Sequence, residues 1–325
     1  MNRRVFLRRS GAAALVGAAL APRALRAQPA ASAPTPAPAA AAPPPAPAPP
    51  AAPAPATFVP LRRGVGFFSG RGGTIGWLVN KDAVAAVDAQ FPDTATRFLA
   101  ELPGRAGRRL DLLINTHHHG DHTAGNKVFQ PETARIVAHE NVPALQRQRA
   151  EQAGTLEAQV YADTLFADTW RMELGDETVS ARYFGPAHTK GDIVVTFEKA
   201  NVVHLGDLMF NRVYPVIDRP GGARIQSWIP LLEKLVAEYP ADALYLFGHG
   251  SARYGVVGTR SDLLVLRDYL TGLLEHVRRE LAAGTPKEAL TKLENLPGFP
   301  DFHQPAPNRL GANLGVAHDE LTEKS

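Results

Sequence analysis

The chain has no cysteine among its 325 residues. Disulfides, thiolate metal ligands and cysteine nucleophiles are thereby excluded together, and any metal ion must be held by nitrogen and oxygen alone. Acidic residues are missing from the first 27 positions, which carry Arg3, Arg4, Arg8, Arg9, Arg23 and Arg26. The formal charge of +3 is therefore local: without those six, 29 basic residues face 32 acidic ones, a balance of −3. No footprint for nucleic acid survives their removal, despite a pI near 9.2. An internal repeat is also missing. What remains, with 45% hydrophobic residues, is enough for one large folded domain.

The basic N-terminus reads as an export signal. Arg3-Arg4-Val5-Phe6-Leu7-Arg8 supplies a twin-arginine segment, and residues 11–21 a weakly apolar core of Ala, Leu, Val and Gly. That core is shorter than the ~20 residues a bilayer-spanning helix needs, so removal near Ala27 and release into the periplasm are expected, with no stable membrane insertion afterwards. Residues 28–57 are almost all Pro and Ala. Proline excludes a continuous helix and alanine provides no core, which predicts a disordered tether.

One stretch carries the chemistry. The apolar run 110–114 predicts a short buried strand that empties into Thr116-His117-His118-His119-Gly120-Asp121-His122. While the chain is extended, His117 and His119 project to one side and His118 to the other. Gly120 allows a sharp turn that presents Asp121 and His122. Imidazole nitrogen and carboxylate oxygen suit zinc at about 2.0–2.2 Å. A merely polar histidine-rich turn is a poor account of four ligand types in six positions.

Strands are predicted over 64–68, 74–79 and 83–88, then a helix over 92–102, a strand over 133–140 and a helix over 143–152. Residues 153–168 carry no clear period. Further strands are predicted over 169–174, 178–184, 193–197 and 201–206, a loop over 208–223, a helix over 225–238 and a strand over 243–247. Leu264, Leu270, Leu274 and Val277 predict a long helix over 260–281. Thr285-Pro286-Lys287-Glu288 predicts a capping box opening another. From Pro297 the composition predicts a loosely ordered tail. Two groups of strands, each followed by helices, predict an α+β chain, an αββα sandwich of two mixed sheets flanked by helices, over 58–282. Residues 283–325 are expected to form a C-terminal helix and tail.

A single strand end cannot complete a coordination sphere. His188 in Gly-Pro-Ala-His-Thr, Asp207 at the end of an apolar strand and His249 in Gly-His-Gly repeat the pattern of strand, then ligand type, near glycine. Each has an ordinary reading too: a turn histidine, a helix-capping aspartate, a loop histidine. Asn211, Arg212 and Tyr214, just after Asp207, are candidates for holding a substrate carboxylate or oxyanion. His204 reads as a packed strand histidine.

Taken together, these motifs resemble the metallo-β-lactamase superfamily over residues 60–282, in order and spacing. The resemblance implies two zinc ions per chain: His117, His119 and His188 on one, Asp121, His122 and His249 on the other, with Asp207 between them. It implies hydrolysis of an ester, thioester or lactone carbonyl of a small molecule by a water shared between the metals, with Asp121 orienting that water or taking its proton. Asp207 in place of a cysteine ligand separates the chain from several β-lactamase branches. A β-lactamase-like amide hydrolase is the alternative, ahead of a mononuclear iron persulfide dioxygenase or a non-catalytic metal-binding protein. Nothing in the sequence sets the oligomeric state.

Overall fold

The computed structural model describes residues 57–323. The expected signal at 1–27 and all of the Pro/Ala stretch except residue 57 lie outside them. Four strands open the described chain: β1 (Thr57–Pro60), β2 (Val65–Ser69), β3 (Ile75–Val79) and β4 (Val84–Val87), paired antiparallel in sequence order. After α1 (Pro92–Glu101), the strands β5 (Leu112–Ile114), β6 (Ile136–His139) and β7 (Thr164–Phe166) add in parallel. The single-turn helices α2 (Gly120–Thr123) and α3 (Asn126–Phe129) join β5 to β6, and α4 (Val142–Ala153) joins β6 to β7. Such crossovers are what parallel neighbours require.

The remaining strands are β8 (Thr169–Leu174), β9 (Glu177–Tyr183), β10 (Ile193–Phe197), β11 (Val202–His204) and β12 (Phe210–Asn211). After α5 (Ile225–Glu238) come β13 (Leu244–Leu246), β14 (His249–Gly250) and β15 (Val257–Gly258). A six-stranded sheet runs β15-β13-β11-β10-β9-β8, in which β11 and β13 are parallel, while β12 and β14 form a small parallel pair. Three helices complete the chain: α6 (Arg260–Ala282), α7 (Lys287–Leu290) and α8 (Arg309–Thr322).

Alternation along the strands assigns every side chain to a layer. In β4, Ala85 and Val87 face the second sheet, while Val84 and Ala86 face α1 and Phe98. In β10, Ile193, Val195 and Phe197 meet that inter-sheet core, and Val194 points the other way, into the helical layer with Trp228, Leu232 and Leu270. The result is helix, sheet, sheet, helix, as expected: an α+β fold with two mixed sheets.

The C-terminal region departs from expectation. Residues 309–322 form α8, whose Leu310, Leu314 and Ala317 are fully buried in the helical layer, so no boundary falls at 282. The Pro-rich segment before α8 dominates the composition there and hides the i, i+4, i+7 spacing of those three residues. From α8, buried Glu320 accepts the N–H groups of Ile225 and Gln226 at 2.9 Å each, capping α5. The capping box expected at Thr285 is not formed. Its hydroxyl donates to Glu280 instead (2.7 Å), and α7 is a single turn. A capping box does start α6, where Thr259 and Asp262 exchange bonds. Residues 153–168 resolve into the end of α4, a short 3-10 turn and β7.

Candidate metal centre

Four strand ends meet on one rim. β4 and β5 are parallel neighbours in one sheet, β11 and β13 in the other, so the segments leaving their C-terminal ends lie together. Backbone bonds tie the sheets there, Ile193 N–H donating to Thr116 O (2.9 Å) and Thr74 N–H to Gly248 O (3.0 Å), while Gly248 N–H to Gly206 O (2.7 Å) joins the two strand ends of the second sheet. Gly248 is required by this closeness, since a Cβ there would run into Asp207 Oδ1. Gly73 likewise leaves room for the His122 ring. Gly120 makes no left-handed turn; it opens α2, whose first turn presents Asp121 and His122.

The structure brings all seven candidate ligands together. Nδ1 of His119 lies 3.1 Å from Nε2 of His117 and 3.0 Å from Nε2 of His188. Oδ2 of Asp207 is 3.4 Å from His188 Nε2 and 3.8 Å from His117 Nε2. Its other oxygen, Oδ1, faces the second group, 3.1 Å from His122 Nε2 and 3.4 Å from His249 Nε2. Asp121 Oδ2 completes that group, 3.1 Å from His249 Nε2 and 3.6 Å from His122 Nε2. Donor atoms ~2.0–2.1 Å from a tetrahedral ion are ~3.3 Å apart, close to this spacing.

The far side of each ring says what its near side can do. Thr116 Oγ1 gives its proton to Asp88 Oδ2 (2.8 Å), so at 3.0 Å it accepts from His117 Nδ1–H. His188 Nδ1–H donates to Val216 O (2.8 Å), His119 Nε2–H to Asp218 Oδ2 (2.9 Å) and His122 Nδ1–H to Asp88 Oδ2 (2.8 Å). Those bonds assign the tautomers. With the rings neutral, the lone pairs of His117, His188 and His122 then face Asp207, itself an acceptor. Acceptors facing acceptors at about 3 Å repel unless a cation sits between them. His122 Nε2 and Asp207 Oδ1 are buried with no hydrogen-bond partner, the mark of atoms meant for a metal. The donor set fits a metal site.

Electrostatics divide the groups further. Burial and the charges of His122 and its other imidazole neighbours hold His117 well below its ordinary range, and burial and the charge of His119 hold His188 down at about 3. Burial also opposes charge on His249, but Asp207 and Asp121 outweigh it and raise this ring to about 9. Against the cost of burial, His249 and His122 hold Asp207 well below the carboxylate range.

Two residues with no ligand role in the sequence reading organise the site. Asp88, fully buried at the end of β4, accepts from Thr116 N–H (2.7 Å) as well as from the Thr116 hydroxyl and His122. Its φ of 68° is left-handed, a conformation aspartate tolerates better than most side chains. The signal for it was present: a carboxylate ending an apolar strand beside the motif strand. Asp218 aims His119, and His118, turned away from His117, lies 3.3 Å from the same oxygen. Nothing local marks Asp218, which is 99 residues from His119. His204 is a packed strand histidine, bonded to Thr74 O (3.1 Å) and Gly206 N–H (3.1 Å).

A cleft of about 750 Å³ opens over His119, Asp121, Asp207 and His249. Of the three substrate candidates only Tyr214 borders it, and its hydroxyl is turned to Leu296 N–H (3.4 Å). Asn211 and Arg212 do not line it. The Asn211 amide holds the Tyr254 and Gly255 carbonyls (3.2 and 3.0 Å), and Arg212 is committed to Asp262 at 2.7 Å and stacked over Tyr254. Both brace the loop beside the cleft instead of facing it.

Residues 69–249 match the family described as "Metallo-beta-lactamase superfamily". A curated relative, the hydroxyacylglutathione hydrolase of Methylococcus capsulatus, is 30% identical over 241 residues, covering 72% of this chain and 82% of its own. Among solved structures, the metallo-beta-lactamase of Pontibacter korlensis shares the fold at 16% identity and a TM-score of 0.55, over 66% of this chain and 99% of that one. The inverting sec-alkylsulfatase of Pseudomonas sp. does so at 12% identity and 0.64; 82% of this chain covers 50% of that longer one. The chain belongs to the metallo-beta-lactamase superfamily and is a metal-dependent hydrolase.

Proposed function

We propose that the protein is a zinc hydrolase of ester, thioester or lactone carbonyls, with His117, His119, His188, Asp121, His122, His249 and Asp207 holding two zinc ions. The observation that carries this is Asp207, whose two oxygens face two separate groups of imidazole nitrogens. Zinc ions so held would supply an acidified water and a Lewis acid for a carbonyl oxygen. Everything else falls to the chain. Asp218, Asp88, Thr116 and the Val216 carbonyl keep the rings aimed, so little reorganisation is needed when charge develops. His117 and His188 are sealed from solvent, whereas the side chains of Asp121 and His249 are each 28% exposed. Substrate therefore enters on the Asp121 side, where that carboxylate is placed to take a proton from water. Similarity to a hydroxyacylglutathione hydrolase supports a thioester within this class. Export to the periplasm belongs to the same proposal, on the strength of Arg3, Arg4 and the apolar run after them.

The test is a hydrolysis screen of purified, metal-quantified protein against thioesters, acyl lactones, aryl esters, a chromogenic cephalosporin and phosphodiesters. Zinc near two per chain with thioester or ester turnover is expected. Turnover of the cephalosporin alone would replace this reading with β-lactam hydrolysis, and a single iron would end it.

A further inference from the structure

The cleft's outer wall has a chemistry of its own. Val213, Val216, Phe210, Pro305 and Ala306 make it apolar. Beyond the proposed ligands Asp121 and Asp207, no acidic residue among the described residues lines it, while two arginines do, Arg253 and Arg309. These two differ. Arg253 is on the rim, its side chain 73% exposed, and already pairs with Asp301 at 3.4 Å. Arg309 has no carboxylate within salt-bridge distance among the described residues, and its Nε is buried without a hydrogen-bond partner. The Arg309 guanidinium thus enters no ion pair or side-chain hydrogen bond among the described residues, and an anionic oxygen is the best partner for such a group.

The wall is held in register with the metal centre. His303 N–H donates to Arg212 O and Tyr214 N–H to His303 O, each at 3.0 Å, fastening the segment before α8 to the loop that follows Asp207. Leu310 N–H donates to Gln304 Oε1 (3.1 Å), closing the segment on itself beside Arg309. His303, Gln304, Arg309 and Leu310 lie beyond residues 69–249, the part matched to the family, whereas Arg212 and Tyr214 lie within it.

We propose that the cleft selects substrates with an apolar body and an anionic end, and that Arg309 binds the anion. This rests on the ester and thioester reading above. The anion could be a carboxylate or a sulfonate-like group; both offer the paired oxygens a guanidinium prefers.

Two measurements test it. The first compares 4-nitrophenyl half-esters of succinic, glutaric, adipic and suberic acids with chain-matched esters of the corresponding monoacids, on the zinc-loaded protein. At one or more chain lengths the half-ester should lead by about tenfold or more in kcat/KM, as expected of a charged hydrogen bond. Arg309→Gln should reduce that lead towards unity, mainly through KM, and Arg309→Lys should recover part of it. Equal rates for the two series, or a lead that Arg309→Gln leaves intact, overturns the proposal. The second measurement does not depend on turnover: calorimetric titration with 1-octanesulfonate, which carries tail and anion but no scissile bond. Binding weakened about tenfold in Arg309→Gln upholds the anion site even if no ester is hydrolysed; equal binding to both proteins removes it. Superimposable melting curves of the variants exclude misfolding as the cause.

Discussion

Asp207 concentrates the demands of the whole site on one carboxylate. Asp207→Asn removes the negative charge between the two ligand groups and leaves an amide that offers one acceptor oxygen where two were used. Metal content is expected to fall from two towards one per chain, with the Asp121–His122–His249 group emptying first because the other keeps three imidazoles. Turnover should drop by orders of magnitude. Metal analysis after dialysis, alongside a rate assay, decides it; a variant with two metals and normal turnover would disprove the bridging role. A second expectation concerns protons. In the metal-free protein His249 is raised from 6.5 to about 9, so its charged form stabilises the fold fully below pH 6.5 and that contribution is lost as pH rises through 9. A metal needs both rings of this group neutral, and His122 too is raised well above its ordinary range by Asp207, Asp121 and Asp88 against the cost of burial, so affinity at this group should climb steeply with pH. His188, held near 3, is already neutral across that range and adds no slope. Chelator competition from pH 6.5 to 10 reads this directly, and a flat profile contradicts it.

At the scale of elements, α8 is the piece that composition conceals and packing requires. Its buried Leu314 fills the helical layer, and Glu320 caps α5 through two backbone bonds. Leu314→Ala should cost ~2–5 kcal/mol through lost burial and the cavity left behind. Glu320→Ala should cost ~1–3 kcal/mol, since the buried Ile225 N–H and the part-buried Gln226 N–H lose their carboxylate acceptor. Denaturant unfolding measures both; values near zero would mean that α8 is detached in solution. α5 in turn steadies the metal turn, because Trp228 Nε1–H donates to Leu208 O (3.0 Å) one residue past Asp207.

At the scale of the whole molecule, the described residues hold no helix long and apolar enough to cross a membrane. The proposal of export therefore rests on the N-terminal segment. Replacing Arg3 and Arg4 together with Lys should leave precursor in the cytoplasm, and fractionation against a periplasmic marker shows whether it does. An undiminished periplasmic yield would rule out the twin-arginine route.

Much of this protein was legible along the chain. Apolar runs such as Val84 to Val87 and Ile193 to Phe197 mark buried strands, and their order, two groups each followed by helices, is enough to imply two sheets with helices outside. His117, His119, Asp121 and His122 declare themselves because four ligand types are crowded at one strand end. His188, Asp207 and His249 follow from the same arrangement of strand, ligand type and glycine. Tertiary structure alone decided the rest. Asp218 reaches His119 across 99 residues, and Glu320 reaches Ile225 across 95. Asn211 and Arg212 looked poised for substrate because they follow Asp207, yet their side chains bond to loop carbonyls and Asp262. Arg309, with no motif around it, became a candidate only when its segment formed the wall of the cleft. Sequence carries periodicity and local spacing, which govern faces and strand ends. Which partner a polar side chain finds depends on contacts between distant segments, and those exist only once the two sheets have closed on each other.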